Sequence, residues 1–259
     1  MRWFVWKTVV VALVVSWWSA AHAEPLELEP TGQFAASGSA IYRSIELPAS
    51  FLVDPSPFGR PVLIMTGRLS ARLLDPKRIS RDAADPEVVR VDTGGPQEDF
   101  LSVRVDGPNL VVDRDGRTMT LKASPPLLGD RTVDELIEAL PEYRRDAARY
   151  TPDPAALDKL RRLKQPTELL VFFGSWCPHC GQAVPRLVRV LESVRGAPIA
   201  VTFHGVPHDG TDPMANDLGV NGLPTMIVRR DSKEVARMAG DEWAAPEKSL
   251  AALIASPAR

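Results

Sequence analysis

Cysteine is almost absent from this sequence: Cys177 and Cys180 are the only two in 259 residues. That scarcity leaves neither thiol a structural partner elsewhere in the chain, so any sulfur chemistry happens at this pair. An excess of one charge is also lacking. With 31 basic against 33 acidic residues, the chain carries no electrostatic footprint for nucleic acid or an acidic membrane surface as its main partner. No repeat period points to a solenoid or propeller. A second Cys-x-x-Cys is missing, and His204 and His208 are the only spaced histidine pair. No metal site and no resident cofactor are expected.

Proline is plentiful, with 24 residues, mostly before residue 155 and at element boundaries after it. The one extended apolar run lies at the start. Arg2 and Lys7 precede an apolar stretch from Thr8 to Ser19, and Ala21-His22-Ala23 fits a small-x-small cleavage site. Residues 1–23 therefore read as a secretory signal peptide; the stretch is short for a membrane anchor. No cysteine adjoins the cut, which excludes lipid attachment there. Export, to a periplasm or beyond, places the cysteines where disulfides persist.

Residues 24–40 read as a loose leader. From residue 41 to 150 the pattern is that of a smaller, mostly β domain with a helix at its end. Leu69, Ala71 and Leu73 alternate with Arg68, Ser70 and Arg72, as in a half-buried strand. Asp115-Gly116 sits between two apolar runs and predicts a tight hairpin. Thr132 and Glu135 form a capping box for a helix carrying Val133, Leu136, Ile137 and Leu140, ended or kinked by Pro141. Residues 151–259 then alternate strand and helix: strands at 169–173, 199–203, 225–228 and 234–238, and helices at 178–194, 212–218 and 246–254. That order predicts an α/β domain, a central mixed sheet with helices on both faces.

Phe172-Phe173-Gly174-Ser175-Trp176-Cys177-Pro178-His179-Cys180 ends an apolar strand and opens a helix. Two thiols three residues apart in that setting form a site for exchanging disulfides. Together with Gly222-Leu223-Pro224-Thr225 before the next strand, the segment resembles the active site of the thioredoxin-like superfamily, over roughly residues 153–256. The resemblance implies a protein disulfide oxidoreductase. Cys177 is then the nucleophile, at a helix N-terminus that favours its thiolate, and Cys180 is the resolving cysteine. Pro178 fits the first helical turn and His179 tunes the thiolate. Trp176 covers the site, Pro224 is the cis-proline, and Leu223 and Thr225 border the bound substrate, whose chain pairs with Leu223 as an added strand. Many members carry a buried acid where this chain has Val171; Glu168 lies too near the strand start to replace it.

The Pro-His dipeptide matches the exported DsbA oxidants, but residues 181–223 lack room for the helical domain those proteins insert. The direction of electron flow therefore stays open between oxidant, isomerase and reductant. Expected partners are proteins bearing thiols or disulfides and a separate redox partner, possibly a membrane protein, that recharges the pair. The β domain is a candidate for dimerisation or client docking. A second reading is copper delivery, drawing on Cys177, Cys180, His179, His204 and His208.

Overall fold

The computed structural model describes residues 25–47, 49–94 and 99–255; the signal-peptide reading lies outside them. The first unit holds β1 (Leu26–Pro30), β2 (Phe34–Ala35), β3 (Ala40–Ser44), β4 (Ser50–Asp54), β5 (Val62–Met65), β6 (Ser70–Leu73), β7 (Ile79–Arg81), β8 (Val89–Val91), β9 (Phe100–Asp106), β10 (Asn109–Arg114) and β11 (Arg117–Ala123). Among the described residues these form one sheet in the order β2-β11-β10-β9-β6-β5-β4-β3-β1-β8-β7. Side chains alternate between its faces: Ile41, Phe51, Val53 and Ile64 join one core, while Tyr42, Leu52 and Leu63 join another. The sheet thus buries apolar side chains on both faces. Asp115 and Gly116 both have positive φ, 49° and 75°, the primed turn that matches strand twist between β10 and β11.

The second unit holds β12 (Gly129–Arg131), α1 (Val133–Ala139), α2 (Pro141–Arg149), α3 (Pro154–Arg161), β13 (Thr167–Phe173), α4 (Pro178–Ser193), β14 (Ile199–Gly205), α5 (Pro213–Asp217), β15 (Thr225–Arg230), β16 (Lys233–Met238) and α6 (Pro246–Ala255). Its mixed sheet runs β12-β14-β13-β15-β16, with β13 and β14 parallel and the other pairs antiparallel. On one face, Leu169, Val171 and Phe173 meet α4 through Val184, Leu187 and Val188. On the other, Leu170, Phe172 and Ile227 meet Ala215 of α5.

Two boundaries differ from the sequence reading. Of the stretch expected as a loose leader, the described residues 25–40 are tied down: β1 pairs with β3 and β8, and Leu28 and Glu29 are fully buried. Its acidic, proline-bearing composition concealed a strand whose inward glutamate is paired. The division between units falls near residues 124–128, not 150. Leu136, Ile137, Tyr143 and Ala147 of α1 and α2 belong to the core that contains Cys177 and Cys180, and β12 pairs with β14. Pro141 ends α1 yet begins α2 at its first position, where a missing N–H costs nothing.

The two units are joined by charge. Arg43 Nη2 of β3 donates to Glu29 Oε1 and to Asp146 Oδ2, both at 2.5 Å. From α2, Arg149 Nη2 reaches Glu29 Oε2 at 2.7 Å and Arg145 Nε reaches it at 3.2 Å. Burial pushes the Glu29 carboxyl up, but the hydrogen bond from Arg149 and the charges of Arg43 and Arg149 outweigh it and hold the group below its ordinary 4.5. A depressed carboxyl stabilises the fold above its unfolded value and loses that contribution as pH falls through the folded one. Glu29→Ala would leave three guanidinium groups short of their shared carboxylate. We expect a loss of about 3 kcal/mol in urea unfolding, because breaking a buried pair strands the remaining charge, together with a shallower acid limb in stability against pH.

Candidate active site

The site is assembled where β13 ends and α4 begins. Cys177 is the N-cap of α4, and its Sγ accepts the Cys180 N–H at 3.4 Å. Pro178 follows at the first helical position and is exposed, as is His179. Both cysteines are free thiols. Both are buried, Cys180 at 0% exposure and Cys177 at 8%. The Gly174 N–H points at Cys180 Sγ, 3.4 Å away.

One helix end holds two thiols of opposite acidity. The Cys180 thiol donates to Cys177, lowering the Cys177 pKa to about 6. Burial opposes this, while the backbone N–H groups of Cys180 and His179 and the charge of His179 add to it. Cys180 moves the other way, raised by the same shared proton, then by burial and by the neighbouring Cys177 charge. The arrangement therefore sets a thiolate at Cys177 beside a Cys180 thiol that keeps its proton, the division of labour that thiol–disulfide exchange requires.

Three elements frame the pair. The Leu223–Pro224 peptide bond is cis, Pro224 is buried, and Leu223 O lies 4.0 Å from Cys177 Sγ. Thr225 is buried and its hydroxyl donates to Gly222 O at 2.7 Å, so it supports the loop from below. Trp176 is half-exposed; its Nε1 donates to Val206 O at 3.0 Å and its ring lies 4.3 Å from that of His208. Gly174 makes room for that indole: a Cβ there would come within 2.6 Å of the ring.

Val171 is fully buried on β13, so an apolar side chain occupies the position where the resemblance implies an acid. Glu168 is exposed near the start of the strand, away from the sulfurs. Of the histidines of the copper reading, only His179 adjoins the cysteines, lying between them in α4. Both ring nitrogens of His204 are engaged, Nδ1 with Asp130 at 2.6 Å and Nε2 with Asp212 at 3.0 Å, and His208 packs on Trp176. Among the described residues, no three His, Cys, Asp or Glu side chains converge as metal ligands.

Sequence reasoning overlooked α2, which packs directly on α4. Its Glu142 and Tyr143 are both buried. The Tyr143 hydroxyl has no hydrogen-bond partner among the described residues. Burial, and next the Cys180 charge, raise it well above its ordinary value, so it stays a neutral O–H group. The periodicity of Tyr143 and Ala147 was the available signal, hidden among five charged residues between 142 and 149.

A profile of the thioredoxin family matches residues 158–256. A thioredoxin of Chlamydia caviae is 36% identical over 72 residues, 28% of this chain and 67% of that protein. Thioredoxin-2 of Saccharomyces cerevisiae is 27% identical over 110 residues, 42% of this chain and 95% of that protein. Among solved structures, a malaria-parasite thioredoxin-2 is 27% identical, with a TM-score of 0.29, covering 36% of this chain and 84% of that one.

Iodoacetamide should modify the reduced protein at Cys177 alone, with an ionisation midpoint near pH 6. His179→Ala should shift that midpoint upward. Because the folded value lies below the ordinary 9.0, the thiolate stabilises the reduced fold fully above pH 9.0 and ceases to do so as pH falls through about 6. Gly174→Ala should displace the indole and change the Trp176 fluorescence.

Proposed function

The chain belongs to the thioredoxin-like superfamily of thiol–disulfide oxidoreductases through its C-terminal unit, and from that premise we propose that it is an exported enzyme exchanging disulfides with protein thiols. The observation that carries this reading is the paired acidity of the two cysteines, a thiolate at Cys177 beside a protonated Cys180.

In the reducing direction, the Cys177 thiolate attacks one sulfur of a client disulfide. A Cys177–client bond forms, the client bond breaks, and the second client sulfur leaves as a thiolate that takes up a proton. Cys180 then loses its proton and attacks Cys177 Sγ. The Cys177–Cys180 disulfide forms, the client sulfur departs, and two electrons have passed from the dithiol to the client. The same steps reversed oxidise a client dithiol. In either direction Leu223, beside Cys177, offers its backbone to the client strand.

A thiolate this stable favours the reduced pair and so makes the disulfide form the better oxidant. We therefore place the enzyme on the oxidising side of thioredoxin, acting as an oxidant or isomerase, with a separate redox partner, possibly in the membrane, to recharge it. The signal-like N-terminus supports export, where that direction is useful. Equilibration with glutathione should give a potential above about −200 mV; a value below about −250 mV reverses the direction proposed.

Val171 predicts slow resolution, since no acid at that position takes the Cys180 proton. Val171→Asp should raise the rate of insulin disulfide reduction by roughly tenfold, at some cost in stability for a buried carboxyl. An unchanged rate would show that Cys180 is deprotonated by another route.

A further inference from the structure

The family chemistry leaves the β unit without a role, yet that unit meets the α/β unit beside the reactive sulfur. Between them opens a cleft of about 630 Å³, within the range of sites that enclose a ligand. Its floor is Ser175 and Trp176, the two residues immediately before Cys177. One wall includes Phe34 and Pro125; the other is the α1–α2 corner with Ala139 and Glu142.

The cleft is preformed. The Leu127 N–H donates to Ser175 Oγ at 2.9 Å, tying the linker between units to the residue beside Trp176. Gly205 lets that linker lie against β14, because a Cβ there would come within 1.9 Å of Leu127 O. The Glu29 cluster holds α2 against β1 and β3 from behind. The lining is mainly apolar, and its proline rings offer surface without N–H groups that would need partners. Glu142 is buried at one end of the cleft, and burial pushes its carboxyl up.

We propose that this cleft receives the extended, apolar stretch of client polypeptide that flanks the cysteine under attack. The occupant follows from continuity with the sulfur. A client cysteine at Cys177 arrives on a chain that continues to both sides, and Cys177 is bordered by Leu223 on one element and by Trp176 on another. Trp176 is also the floor of the cleft, so a chain leaving the sulfur over the indole enters it. The β unit thereby becomes half of the client site. This inference rests on the oxidoreductase reading and adds the polypeptide specificity of the same site.

Ala139 and Pro125 are exposed residues on opposite walls, neither of them in the reaction machinery, and a large side chain at either fills the cleft. The test compares wild type with Ala139→Trp and Pro125→Trp on two substrates. One is an apolar, unstructured peptide with a single cysteine held as its glutathione mixed disulfide. The other is 5,5′-dithiobis(2-nitrobenzoate), too small to need the cleft. Filling the cleft should raise KM for the peptide at least tenfold and leave the small disulfide unchanged. An unchanged peptide KM in both variants overturns the proposal, as do equal losses on both substrates in both variants. The serine version of the peptide, titrated calorimetrically, separates this inference from the oxidoreductase reading. Wild type that binds it but turns over neither disulfide retains the docking and fails the chemistry. Wild type that turns over both while the variants bind the serine peptide as it does retains the chemistry and fails the docking.

Discussion

A single buried carboxylate organises this molecule. Glu29 has no contact with solvent, and its two oxygens are shared by Arg43 from the sheet and by Arg145 and Arg149 from α2. An unpaired charge at that depth would be untenable, so β1, β3 and α2 are obliged to meet. Because α2 packs on α4, the requirement reaches the helix that carries the cysteines. The β unit is thereby a fixed neighbour of the reactive site, and the space left between the two units borders Trp176.

Within the site the chemistry depends on asymmetry imposed by one helix end. Cys177 and Cys180 are the same residue one turn apart. Cys177 receives N–H groups, the Cys180 proton and the charge of His179; Cys180 receives burial and the repulsion of an adjacent thiolate. The shared proton is the first cause at both, lowering one thiol and raising its neighbour. The interior behind the pair is apolar or neutral: Val171 on the strand, Tyr143 on α2. That lining keeps Cys180 protonated beside the Cys177 charge.

Much of this was legible in residue order. The run from Leu169 to Phe173, the capping box at Thr132 and Glu135, and the turn at Asp115-Gly116 each act through neighbours within a few positions, and each appears where local rules put it. The stretch from 24 to 40 was misread because Glu29 and Pro30 look like loop residues until guanidinium groups from positions 43, 145 and 149 surround the glutamate. The unit boundary was misread for a related reason. Pro141 looks like a stop, and only packing of Tyr143 and Ala147 on α4 shows that it is also a start.

By itself the sequence determined the reactive pair, the helix that follows it and the alternating order of the second unit, because each depends on local backbone preference and short-range periodicity, while the Pro224 loop and the parts of the two cysteines came through the family resemblance. Tertiary structure alone decided what stands behind Cys180, where the β unit meets the site and how the cleft opens beside Trp176. Those outcomes depend on burial and on charges brought together from more than a hundred residues apart, and electrostatics of that range has no signature in a local stretch of sequence.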